Sequence, residues 1–143
     1  MPTWLFFHTL IANIPETQYV AKDVLGHVKS ICAVLPCPDC ASHATEYLAK
    51  IEPRHVPRKE DFRRMLWVFH NAVNLKTRKP QFPYERMTIY DTTSIQVVFN
   101  VFAQKFTKRQ QTRLFTDSLM RTRIVAQLRA WLATIDFLHG KPN

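Results

Sequence analysis

Two cysteines two residues apart, in the stretch LPCPDCASHA at positions 35–44, are the residues of this chain best suited to chemistry. Cys37 and Cys40 enclose a Pro-Asp pair. Such a pair can bind a metal ion, bridge the backbone as a structural disulfide, or cycle between disulfide and dithiol. Pro36 ends whatever helix precedes it, and Pro38 suits the first position of the next, with Cys37 at its N-cap. A thiolate there meets unpaired N–H groups and the positive end of a helix dipole, and both lower its pKa. Zinc would need four ligands, which Cys37, Cys40, His43 and one of His55 or His70 could supply. No second CxxC or HxxxH completes that set in sequence. A thioredoxin-like redox motif would follow a strand, and no strand pattern precedes Cys37. A bridge across two residues closes too small a loop to stabilise much. A catalytic disulfide remains, and it requires an electron acceptor.

The stretch WVFHNAVNLKTRKP, residues 67–80, offers a seat for one. His70 and Asn74 are four apart and Asn71 and Asn74 three apart, a polar stripe on an otherwise apolar helix. Lys76 and Lys79 follow at its end. Amides for a ribose, cations for a pyrophosphate and Val73 as an apolar contact would suit an adenine nucleotide. A solvated helix face is the competing reading. Trp4 and His8 also stand one turn apart, where spacing alone favours core packing. The third cysteine, Cys32, lies beside Ile31 on an apolar stripe and reads as buried packing, with a disulfide to another chain as the alternative.

Helices must carry these residues. Pro2 and Pro15 bound a first helix over 3–13. Val20, Val24, Val28, Ile31 and Leu35 recur with helical period and predict a second over 16–35. A third, 38–50, follows the CxxC with Cys40, Ala44, Tyr47 or Leu48, and Ile51 along its apolar line. The stretch EPRHVPRK, 52–59, reads as a loop. A fourth helix, 60–77, carries Phe62, Leu66, Phe69 and Val73 and stops before Pro80. Residues 81–90 show no clear period. Ile95, Val98, Phe99, Phe102 and Phe106 have helical spacing, although the β-branched run also admits a strand over 95–102. A last helix, 117–139, would take Thr116 as N-cap and stop at Gly140, with Ile124, Leu128, Trp131, Ile135 and Leu138 along its apolar line.

With 143 residues, 46% of them apolar, the chain makes one domain with a real core. Its two glycines argue against an all-β fold and against a Gly-rich phosphate loop. No apolar run reaches the roughly 18–20 residues of a membrane span, and the start lacks a basic n-region. The reading is therefore a cytoplasmic protein without anchor or secretory signal. A net charge of +9 favours an anionic partner or a solvated basic surface, and its clusters at 54–64 and 105–129 carry no nucleic-acid motif.

Together, WxxxHT in the first helix, PCxxCAxH at a helix start and HNxVNxKxxKP in the fourth helix resemble the Erv/ALR flavin-linked sulfhydryl oxidases, over about residues 4–82. The resemblance implies an all-α fold. A four-helix bundle core, residues 1–83, would hold FAD, with residues 84–143 as additional C-terminal helices packed on it in the same domain. It implies an FAD-dependent thiol oxidase that makes disulfides in a partner protein and passes electrons through flavin to O2, giving H2O2. Cys40 would be the flavin-proximal cysteine, and Cys37 the outer one that the substrate thiol attacks. Trp4, His8, His70, Asn71, Val73, Asn74, Lys76 and Lys79 would fall in the FAD site, with His43 beside the CxxC. No metal is implied.

Family members usually form homodimers through the first helices. The segment WLFFHTLIANI is apolar nearly all round, as burial on two sides requires, and the helices of 91–139 would either extend that interface or cover it. No second, shuttle CxxC is present, as in minimal members similar to those of large DNA viruses. Electrons would then come directly from a dithiol protein, a thioredoxin-like relay, in the host cytoplasm for a viral chain. The alternative is a zinc-binding helical module with a basic nucleic-acid-binding face.

Overall fold

The computed structural model describes residues 2–108 and 115–138, and every regular element among them is helical. Helix α1, Pro2–Asn13, opens on a proline and ends before Pro15, because proline fits a first turn and cannot continue a last one. It is buried from Phe6 to Ile14. Helix α4, Lys59–Lys76, packs on α1, and so does α5, Ile95–Phe106. The Phe6 ring lies 4.7 Å from Phe102 and 5.5 Å from Phe99, centre to centre. The second apolar side of α1 is thus covered from within the chain. Helix α2, Ala21–Ala33, packs against α3, Pro38–Leu48, and against α6, Phe115–Leu132.

Three helices are shorter than their patterns predict: α3 stops at Leu48 rather than at residue 50, and tertiary contacts explain the other two. The second was expected from residue 16. Instead a 3-10 turn at Glu16–Gln18 leads into extended backbone at Tyr19 and Val20, and α2 begins at Ala21. The Tyr19 hydroxyl donates to the Val56 carbonyl at 2.6 Å, which ties this bend to the loop before α4. Val20 is therefore half exposed rather than on the inner stripe. Leu35 lies beyond the end of α2, in the turn before the cysteines.

The last helix was expected over 117–139. It starts at Phe115, so Thr116 is not its N-cap, and it stops at Leu132. From there the chain leaves the helix to bond elsewhere. Asp136 donates its N–H to the Gln18 side chain at 2.7 Å, and Leu138 donates to the Asn13 carbonyl at 3.1 Å. Lys59 donates to the neighbouring Ala12 carbonyl at 3.0 Å, so the last carbonyls of α1 are satisfied by distant groups. Ile135 and Phe137 reach the core from this irregular segment, whereas Leu138 is exposed. Gly140 lies outside the described residues.

The stretch 95–106 resolves to helix, with Ile95, Val98, Phe99, Phe102 and Phe106 all buried. Residues 84–90, where no period was visible, form a 3-10 helix.

Candidate active site

The start of α1, the ends of α2, α4 and α5 and the start of α3 meet around a cavity of about 440 Å³. Trp4 and Phe7, Phe69 and Val73, and Phe102 and Phe106 give it an apolar and aromatic wall. Cys37 and Cys40 lie on it, joined in a disulfide with Cα atoms 5.2 Å apart. Both are exposed. Cys37 is the N-cap of α3 and Pro38 its first residue, as proline and cap chemistry predict. The Cys40 N–H donates to the Cys37 sulfur at 3.3 Å, so an orphan donor of the helix start serves the redox atom directly.

The two thiols of the reduced pair differ. Hydrogen bonds from the Cys40 thiol and from the N–H groups of Cys40 and Asp39 hold Cys37 below its ordinary pKa, against burial and the Asp39 carboxylate. That same bond to Cys37 raises Cys40, as do burial, the Cys37 charge and Asp39. The first negative charge therefore rests on the outer sulfur. Cys32 also lines the cavity but is buried and outside any disulfide, and burial pushes its thiol up to about 12. It is an inert packing group.

Of the residues predicted for a cofactor site, Trp4, His43, Val73 and Lys76 line the cavity together with the disulfide. His8, His70, Asn71, Asn74 and Lys79 do not. His70 lies behind Trp4, stacked on it at 4.1 Å and 6°. His8 lies deeper, with Nε2 2.9 Å from His70 Nδ1 and its ring stacked on Tyr90 at 4.8 Å. Burial lowers His8 to about 3 and His70 to about 4, so both rings are neutral at pH 7. The remaining nitrogen of His8, Nδ1, is buried and has no partner.

Asn71 is turned to its own chain. Its amide donates to the Phe82 carbonyl at 3.0 Å and its oxygen accepts the Phe82 N–H at 2.9 Å. Asn74 donates to the same Asn71 oxygen at 3.4 Å. Lys79 is carried away by the end of α4. There Arg78 takes a left-handed conformation (φ 59), the Lys79 N–H returns to the Asn74 carbonyl at 2.7 Å, and the Arg78 N–H returns to Leu75 at 3.3 Å. This is a Schellman turn built without glycine. The cavity wall from α4 stops at Thr77, before it.

The zinc alternative finds no support. His70 is bonded to His8, and His55 accepts the Glu52 N–H at 3.0 Å, so neither joins the cysteines. Among the described residues no three His, Cys, Asp or Glu side chains converge on a metal site, and no helix is long and apolar enough to cross a membrane.

Sequence reasoning missed Phe102, Lys105 and Phe106, which α5 brings into the cavity. Periodicity marks Phe102 and Phe106 as inward, but nothing local says which helix ends they face.

Fold and site define a class: an all-helical protein with an exposed cystine on an apolar ligand cavity. The chain belongs to the Erv1 / Alr family, whose pattern matches residues 1–94. It is similar to the FAD-linked sulfhydryl oxidase ERV1 of Arabidopsis thaliana, 38% identical over 87 residues that cover 59% of this chain and 45% of that protein. The rice protein of that name (Oryza sativa subsp. japonica) is 33% identical over 87 residues, 59% of this chain and 44% of its own length. A viral relative, the FAD-linked sulfhydryl oxidase of African swine fever virus, is 28% identical over 96 residues, 66% of this chain and 76% of its own. The matches thus span less than half of either plant relative. No solved structure matches the chain significantly.

Proposed function

We propose that the chain is an FAD-dependent thiol oxidase that makes disulfides in a partner protein and delivers the electrons to O2. The observation that carries this reading is the Cys37–Cys40 disulfide on an aromatic-walled cavity, inside the family-matched segment. The residues fit the cofactor. The volume lies in the range of about 300–1,000 Å³ usual for small-molecule sites, and a flat ring system suits walls such as Trp4 and Phe69. His43 and Lys76 add polar groups to that lining. Trp4, His43, Val73 and Lys76 would touch the cofactor. His70 would hold Trp4 from behind, His8 would support His70, and Asn71, Asn74 and Lys79 would order the chain that follows α4. When bound, the flavin supplies the two-electron step from dithiol to O2, releasing H2O2.

The chain's own chemistry is thiol–disulfide exchange. A substrate thiolate attacks the Cys37 sulfur, the Cys37–Cys40 bond breaks, and Cys40 leaves as thiolate. The second substrate thiol, as thiolate, attacks the sulfur bound to Cys37. The substrate departs as a disulfide and Cys37 leaves as thiolate, so both cysteines end reduced. The order suits the electrostatics. While Cys37 is held in the mixed disulfide it carries neither charge nor thiol proton, and both of its effects that raise Cys40 are gone. Cys40 is then free to carry the charge beside the cofactor.

The exposed Cys37–Cys40 pair is open to direct reduction by a dithiol protein, of which a thioredoxin-like relay is the simplest. Residues 84–143 would form one domain with the 1–83 core, a reading supported by the shared burial of Phe6, Phe102, Leu128 and Phe137. A homodimer through the first helices, which the resemblance implies, would draw on the exposed residues of α2, since Leu5 is the one exposed residue of α1. The purified chain is expected to be yellow, with a flavin spectrum, and to consume O2 with dithiothreitol. A colourless preparation would sink the proposal.

A further inference from the structure

Helix α5 lies beyond residue 94, where the family match ends, yet its last turns form part of the cavity wall. Phe102 and Phe106 are 0% and 3% exposed and continue the aromatic lining. Lys105 stands on the same wall, in the last turn of α5, and Lys76 occupies the last turn of α4. Both lysines are exposed, and among the described residues neither has an ion-pair or hydrogen-bond partner. The other titratable side chains on the wall come from α2 and α3: Cys32, Asp39, His43 and the cysteine pair.

The ends of α4 and α5, like that of α2, meet at one apolar cavity, each directing the negative pole of its dipole there. An anion at that place is repelled unless cations stand in the same turns, and α4 and α5 supply one each. A flavin ring seated in the cavity beside the disulfide would carry its phosphate-bearing tail outwards, towards the exposed lysines on the wall.

We propose that α5 completes the cofactor site of this chain, and that Lys105, with Lys76, binds the phosphates of FAD at the cavity mouth. The inference rests on the flavin reading above, and Lys105 is its new element. Ammonium-to-phosphate contacts are charge-assisted and do not depend on the ring.

The test is binding of FAD and of riboflavin, which lacks phosphate, to the full chain stripped of flavin. Dissociation constants are read by flavin fluorescence for wild type, Lys105→Glu and Lys105→Gln, with Gln104→Glu, an exposed neighbour, as a control for added charge. Lys105→Glu should weaken FAD about tenfold or more and riboflavin by less than about twofold, with Lys105→Gln between. The loss should shrink in high salt, since the site is open to solvent. The melting temperature without flavin should not move. Equal losses for both ligands would mean that Lys105 merely shapes the wall, and would overturn the phosphate assignment. So would unchanged FAD binding accompanied by a raised KM for a dithiol protein, which would place Lys105 in substrate docking. Wild-type chain that binds no flavin would instead overturn the underlying reading.

Discussion

Cys37 and Cys40 share one bond but not one environment. Cys37 collects the hydrogen bonds of a helix start, and Cys40 is left the harder sulfur to ionise. Their roles should therefore separate in single variants. Cys40→Ser should abolish O2 uptake with dithiothreitol, keep the flavin colour, and capture the disulfide form of a partner protein as a mixed disulfide, the Cys37 thiolate attacking the partner's bond and releasing one partner thiol, visible on a non-reducing gel. Cys37→Ser should be equally inactive and trap nothing. A trap on Cys40 would reverse the assignment. The histidine pair makes a second prediction. Burial holds His8 at about 3 and His70 at about 4, against about 6.5 in the unfolded chain. Between those values the unfolded chain binds more protons than the folded one. The stability due to neutral rings is thus complete above about pH 6.5 and is lost as pH falls towards 3. The melting temperature should drop from pH 7 to pH 4, and less steeply in His8→Leu; parallel curves would assign the acid sensitivity elsewhere.

At the scale of elements, the ends matter more than the middles. Arg78 holds a left-handed backbone that favours glycine, so Arg78→Gly should raise stability by about 0.5–1 kcal/mol in urea titrations. The end of α2 depends on α6. Arg121, 1% exposed, donates Nη1 to the Val34 carbonyl at 3.1 Å, where the chain turns towards Cys37. A cation at a helix C-terminus offsets the dipole and satisfies an orphan carbonyl. Arg121→Met should cost about 2 kcal/mol, read from the urea midpoint, with Arg121→Lys recovering part. The helices themselves were legible because periodicity and proline positions act locally. The start of α2 and the end of α6 were not, because Tyr19 and Leu138 bond to residues far along the chain.

Over the whole molecule, α5 fills the side of α1 that an apolar pattern alone could assign to a second subunit. Leu5→Glu is accordingly expected to leave the molecular mass measured by light scattering unchanged. A fall from dimer to monomer would return α1 to the interface. By itself the sequence determined an all-helical chain, a cystine at a helix start and the family motifs around it, since caps, prolines and the helical repeat act over a few residues. It also pointed to Trp4, His43, Val73 and Lys76, which the cavity gathers. Only the tertiary structure decided that His8, His70, Asn71, Asn74 and Lys79 stand off that cavity while Lys105 joins it. Which helix ends meet is settled by the packing of Phe6 on Phe99 and Phe102, across some ninety residues of chain, and no local pattern encodes a contact at that distance.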